Sequence, residues 1–165
     1  MSSPEKENAS LAKPGQYLTF EIRNQCYGVP IATVREINRV TDITAVPHTP
    51  SFVAGVMNLR GKVIPVVNLR LKFEFEAAAH TRQTCIIVIE GDSGQVGMIV
   101  DSVTGVIDLV QTQIEPAPVM GDQDKLSFVT GMGKAETGVI ILVDIVRALS
   151  IAELIEKVGA PASAA

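Results

Sequence analysis

An all-β architecture of two tandem SH3-like barrels is expected from this chain, because its core formers are aliphatic, its apolar runs are short, and it repeats itself. Of 165 residues, 47% are apolar but only 4% aromatic, and Trp is absent, so the interior must be filled largely by β-branched and other aliphatic side chains. Such residues favour the pleated, half-buried surface of a strand. Runs of this kind recur from Gln16 onward as QYLTFEI, REINRVTDITAV, KVIPVVNL, QTCIIVIE, QVGMIVDSV and GVIILVDI, mostly set apart by Gly, Pro, Asn, Asp or Ser.

The repeat is visible residue by residue. YGVPIATV aligns with VGMIVDSV, setting Gly28 opposite Gly97, Ile31 opposite Val100 and Val34 opposite Val103, and SFVAGV aligns with SFVTGM, setting Gly55 opposite Gly131. The offset grows from 67 through 69 to 76, mostly where VMGDQDK is inserted before Leu126, as a surface loop would allow. Two units of about 70 residues with five strands each imply two barrels, and units this small need a shared apolar interface to be stable. The expected organisation is a flexible tail over residues 1–15, one domain over 16–158 and a disordered tail over 159–165. Within the domain, the first repeat spans about 16–79 and the second about 80–145. Helical spacing is confined to a C-terminal segment over 144–158, where Ile145, Leu149, Ala152 and Ile155 recur at three- and four-residue intervals.

Charge and motif content exclude several function classes. A net charge of −4 offers no positive field for nucleic acid, and no apolar run approaches the length of a membrane span. The amino-terminal residues lack the apolar stretch of a secretory signal, so a cytoplasmic location is expected. Cys26 and Cys85 have neither CxxC nor CxxH spacing and are read as reduced core residues; no metal ligand set and no cofactor loop is present. Asp101 falls opposite Ala32 and Asp144 opposite Asn68, so the duplication does not create the paired carboxylates of an aspartic protease. His48, between two prolines, and His80, in AAAHTR, are read as exposed loop residues rather than catalytic bases. No catalytic residue is assigned, and an enzyme using Asp101 or Asp108 is the weaker alternative.

The stretch Asn58 to Arg70, NLRGKVIPVVNLR, stands out. Asn58 and Gly61 bracket a tight turn that would lift Arg60 from the core, where its guanidinium could fork onto a partner or pair with Glu36. Pro65 lacks a ladder donor and predicts an edge or bulge. Apolar residues at three-residue intervals, Ile31, Val34 and Ile37, and likewise Val100, Val103 and Val106, are either core or the lining of a cleft suited to an amphipathic helix.

Taken together, YGVPIATVREI, TPSFVAGVMNLRGKVIPVVNLRLKF, GMIVDSVTGVI and QIEPAP resemble the CheW family of chemotaxis coupling proteins over Gln16 to about Ile155. The resemblance implies two five-stranded barrels around a shared core, and an adaptor, not an enzyme. It also implies two partners: the cytoplasmic hairpin tip of chemoreceptors and the regulatory domain of the histidine kinase CheA, which would recruit the chain to receptor arrays. Carried over by position, the receptor groove would comprise Ile31, Val34, Glu36, Ile37, Asn58, Arg60, Gly61, Val100 and Val103. The kinase would dock on the first barrel's outer edge. A second kinase or ring contact would use Glu115, Pro116 and Met120, although enteric members have a basic residue where Glu115 stands and an aromatic where Met120 stands. An adaptor of a related pathway, for type IV pili or second-messenger control, is the alternative within the fold.

Overall fold

The computed structural model describes residues 12–91, 94–116, 128–136 and 138–145. Its strands are β1 (Gly15–Ile22), β2 (Gln25–Pro30), β3 (Val34–Arg39), β4 (Val53–Leu59), β5 (Lys62–Asn68), β6 (Cys85–Gly91), β7 (Gly94–Val100), β8 (Ser102–Leu109), β9 (Ile114–Glu115), β10 (Val129–Ala135) and β11 (Gly138–Val143). A one-turn helix α1 (Leu69–Lys72) follows β5, capped by the Asn68 side chain, which accepts from the Arg70 and Leu71 N–H groups. The C-terminal helix expected over 144–158 lies outside the described residues beyond Ile145, as does most of the expected amino-terminal tail. Within that tail, β1 already begins at Gly15, and the Ala12 N–H donates to the Thr130 carbonyl at 3.0 Å.

Two sheets form, ordered β8-β1-β2-β11-β10-β9 and β3-β6-β7-β5-β4. Each curls into a barrel because its edge strand runs on and pairs with the opposite edge. Beyond β3, Thr44 bridges Val56 of β4; beyond β8, β9 pairs with β10. If β8 and β9 are counted as one bent strand, both barrels are five-stranded, in agreement with the expected fold.

The barrels do not coincide with the two sequence repeats. One is contiguous, residues 34–100, and the other is split, combining residues 15–30 with 102–143. Each repeat therefore gives its first hairpin to the barrel built by the rest of the other repeat. Each exchanged hairpin is joined by one antiparallel and one parallel pair, β1 with β8 and β2 with β11 in the split barrel, β6 with β3 and β7 with β5 in the contiguous one. The expected division at residue 79/80 falls inside the contiguous barrel. Two predicted runs are also interrupted. REINRVTDITAV ends as a strand at Arg39, and QVGMIVDSV breaks at Asp101, where the chain leaves one barrel for the other. Pro65 sits on β5, an interior strand rather than an edge. It is tolerated because pairing with β7 begins only at Val66, so the residue without an N–H lies just ahead of that ladder.

Burial explains the aliphatic composition. Ile86 and Val88 of β6 point into the contiguous barrel with Met57, Ile64 and Val66, while the alternate residues Ile87 and Ile89 point into a core shared with the split barrel. Strands buried on both faces read as continuous apolar runs, as CIIVI does. From the split barrel, Leu18, Phe20, Ile22, Tyr27 and Val29 enter the same shared core. Phe20 stacks on Tyr27, and Phe73 reaches in to stack on Phe128 with ring centres 4.9 Å apart. Cys26 and Cys85 are free but only partly buried, a correction to their reading as core residues. Burial nevertheless pushes the Cys26 thiol up in pKa.

One pair of repeated glycines, Gly55 and Gly131, marks the closures. A Cβ on Gly55 would lie 2.1 Å from the Thr44 carbonyl oxygen, and φ there is +146°; a Cβ on Gly131 would lie 2.9 Å from the Glu115 carbonyl oxygen. Both sit where the continued edge strand meets the opposite edge. Gly55→Ala is expected to cost about 1–3 kcal/mol or more through overpacking and backbone strain, read as a lower urea midpoint with an unchanged slope. An unchanged midpoint would mean that the closure is slack.

Candidate groove between the barrels

Residues 58–61 build the feature that the sequence singled out. Arg60 and Gly61 have φ of +52° and +85° and form a two-residue hairpin turn between β4 and β5. Both positions require the left-handed region, which matches the twist of the flanking strands. The Asn58 side chain accepts the Gly61 N–H at 2.8 Å, so Asn58 and Gly61 shape the turn. Arginine is a poor choice for a left-handed position, where Asn or Gly costs less, so the residue is explained by its side chain.

That side chain reaches β3. The Arg60 guanidinium donates to both Glu36 carboxylate oxygens, at 2.5 and 3.0 Å, linking the two opposite edges of the contiguous barrel's sheet. The pairing within the domain is therefore realised, yet the Arg60 side chain remains 76% exposed against 20% for Glu36. Hydrogen bonding from Arg60 holds the Glu36 carboxyl below the usual carboxylate range. Because its folded-state pKa is lowered, the pair's contribution is present at neutral pH and disappears as pH falls through and below that range.

Strand register brings the apolar residues together. On β3, Val34 and Ile37 lie opposite Ile89 and Ile87 of β6; on β8, Val103 and Val106 lie opposite Phe20 and Leu18 of β1. Directly opposed residues of an antiparallel pair project to the same side. All four partners belong to the shared core, so these four side chains carry that core outward along the seam between the barrels. Val34, Val103 and Ile31 are partly buried against it, whereas Ile37 and Val106 are 43% and 50% exposed. Val106 was absent from the expected site. The signal for it was its alignment with Ile37 across the repeat. Val100, in contrast, is a core residue at 1% exposure and offers no surface to a partner. It precedes the Asp101 crossover, and Val103 and Val106 follow it, so a spacing of three does not place Val100 on the face that those two share.

Two further expectations are located. Glu115 is exposed on β9 and pairs with Lys134 at 2.9 Å, Pro116 is exposed beside it, and Met120 lies outside the described residues. Asp101, considered above as a catalytic carboxylate, has both oxygens engaged. Arg70 Nε donates to Oδ1 at 2.9 Å and Nη2 to Oδ2 at 2.7 Å, and the Arg23 backbone N–H donates to Oδ2 at 2.8 Å. Burial pushes this carboxyl up, but the Arg70 and Arg23 hydrogen bonds and the Arg70 charge together outweigh it and leave the pKa lowered. Asp108, His48 and His80 are exposed. Among the described residues, no group of three or more His, Cys, Asp or Glu could hold a metal ion, and no helix is long and apolar enough to cross a membrane.

Comparison with known proteins agrees with this architecture. The CheW-like domain model matches residues 16–153. The chemotaxis protein CheW of Klebsiella aerogenes is 36% identical over 139 residues, covering 84% of each chain. That of Thermotoga maritima is 34% identical, covering 85% of this chain and 91% of its own. Protein FrzA of Myxococcus xanthus is 34% identical, covering 73% and 76%. The crystal structure of the scaffolding protein TtCheW from Thermoanaerobacter tengcongensis superposes with a TM-score of 0.73 at 34% identity, covering 79% of this chain and 89% of that one. A duplicated chain closed into two barrels over one core, with Arg60 displayed on an NLRG turn, thus belongs to the CheW family.

Proposed function

We infer that this chain is a non-enzymatic adaptor of chemotaxis signalling, which joins the cytoplasmic tip of chemoreceptors to the regulatory domain of the histidine kinase CheA. The observation that carries the reading is the apolar seam of Val34, Ile37, Val103 and Val106, with the Arg60 guanidinium drawn alongside β3 by Glu36. An exposed aliphatic strip flanked by a fixed cation suits an amphipathic helix, which lays in its apolar face and offers a carboxylate or helix-end carbonyl to the arginine. Ile31, Val34, Glu36, Ile37, Arg60, Val103 and Val106 form the receptor contact, with Asn58 and Gly61 holding the turn. Glu115 and Pro116 form a separate contact for the kinase or for ring closure. The adaptor acts in the cytoplasm, recruited to membrane receptor arrays by these contacts.

The test is a reconstituted kinase assay containing receptor, CheA and this protein. Kinase activation that depends on the protein is expected, and equal activity without it would overturn the reading. Similarity to a relative not named CheW, protein FrzA, leaves room for a second placement, in a related chemosensory pathway with its own receptors and kinase. Recovery of the bound kinase and assay of its output separates the two.

A further inference from the structure

The chain passes between the two barrels twice, and the two passages are built differently. One runs from β2 to β3 through a single 3-10 turn, Ile31–Thr33, which has no ionisable residue and whose side-chain hydrogen bond, from Thr33 Oγ1 to the Pro30 carbonyl at 2.8 Å, stays within the passage. It borders an open cavity of about 440 Å³. The other runs from β7 to β8 through Asp101, at the position equivalent to Ala32.

Asp101 is tied to both barrels at once. Its backbone N–H donates to the Glu21 carbonyl of β1 at 3.0 Å, and its carboxylate takes the Arg23 N–H from the β1–β2 turn, both in the split barrel. The fork from Arg70 comes from α1, which directly continues β5 of the contiguous barrel. Arg70 also donates to the Glu76 carbonyl at 3.3 Å, and the Arg23 guanidinium lies 5.0 Å from the centre of the Phe75 ring, so the link extends into the segment after α1. The Arg70 and Asp101 side chains are 22% and 31% exposed, sheltered enough for the fork to be geometrically fixed. Val103, on the groove wall, is two residues beyond Asp101.

We propose that the Asp101–Arg70 pair is a positioning latch that fixes the angle between the barrels, and so the opening of the receptor groove, while the Ile31–Thr33 passage is the compliant joint. Asp101 touches no partner; it acts through β8, whose residues Val103 and Val106 form one wall. The inference rests on the groove being the receptor site, but the latch can be tested without that.

The experiment places spin labels at the exposed positions Lys62→Cys on the contiguous barrel and Glu136→Cys on the split barrel, in a chain carrying Cys26→Ala and Cys85→Ala. Pulsed dipolar spectroscopy then gives the distribution of inter-barrel distances, and calorimetry gives affinity for a receptor hairpin-tip peptide. Asp101→Asn is expected to broaden the distribution about twofold and to weaken the peptide about tenfold, with far-UV dichroism unchanged. Asp101→Glu restores part of both. Arg70→Gln keeps the Arg23 contact to Asp101, so it produces a milder version and carries the test if Asp101→Asn does not fold. Distances as narrow as wild type in both variants would overturn the latch, and weakened binding with unchanged distances would do so as well, by making Asp101 a direct contact. If the unsubstituted protein binds no receptor peptide, the proposed function fails, and the distance widths still decide the latch.

Discussion

Phe20→Ala is expected to destabilise both barrels together by about 3–5 kcal/mol, the range for truncating a fully buried aromatic residue. Phe20 is 0% exposed, stacks on Tyr27 and contributes to the core that Ile87, Ile89 and Met98 enter from the other barrel. Domains of this size have about 5–15 kcal/mol of stability in all, so the loss is a large share of it. Native-state hydrogen exchange provides the check. Protection of the most stable amides should fall by the same amount at Tyr17, in the split barrel, and at Ile86, inside the contiguous one. If Ile86 kept its protection while Tyr17 lost it, the barrels would be separate folding units and the shared core a mere contact.

Ile37→Asp carries the largest functional effect. Ile37 is 43% exposed, so replacing it costs about 1–2 kcal/mol in lost burial and strand preference, a loss the domain survives folded. In a complex the carboxylate would face the apolar side of a docked helix without a partner, and a loss of about 10- to 100-fold in receptor affinity is expected. Arg60→Asn sharpens the comparison. Asn-Gly is the preferred pair for this hairpin turn, so the melting temperature should hold or rise, while receptor affinity falls with the guanidinium. A marked drop in melting temperature for Arg60→Asn would make Arg60 primarily a closure of the barrel through Glu36. Unchanged affinity in both variants would move the receptor contact away from this seam.

These predictions separate residues that locate the site from residues that shape it. The turn at Asn58–Gly61 was legible because its requirements are local: two left-handed positions, a side chain to hold the turn and an arginine in the tip. Ile37 was legible as an apolar position, although the same pattern also covered Val100, which is core. Asp101 was legible only as a carboxylate near a strand end, since its partner Arg70 is 31 residues away and nothing near either residue announces the other.

The amino acids taken in order were enough to establish an aliphatic β-fold, its duplication, the Arg60 turn and the family, because each follows from local periodicity, turn chemistry or an unbroken motif. Tertiary structure alone decided that the hairpins are exchanged between repeats, that Val100 is internal and Val106 external, and that Asp101 joins the barrels. Strand pairing and ion pairing between distant residues depend on which surfaces the folded chain brings together, and similarity along the chain carries no record of that choice.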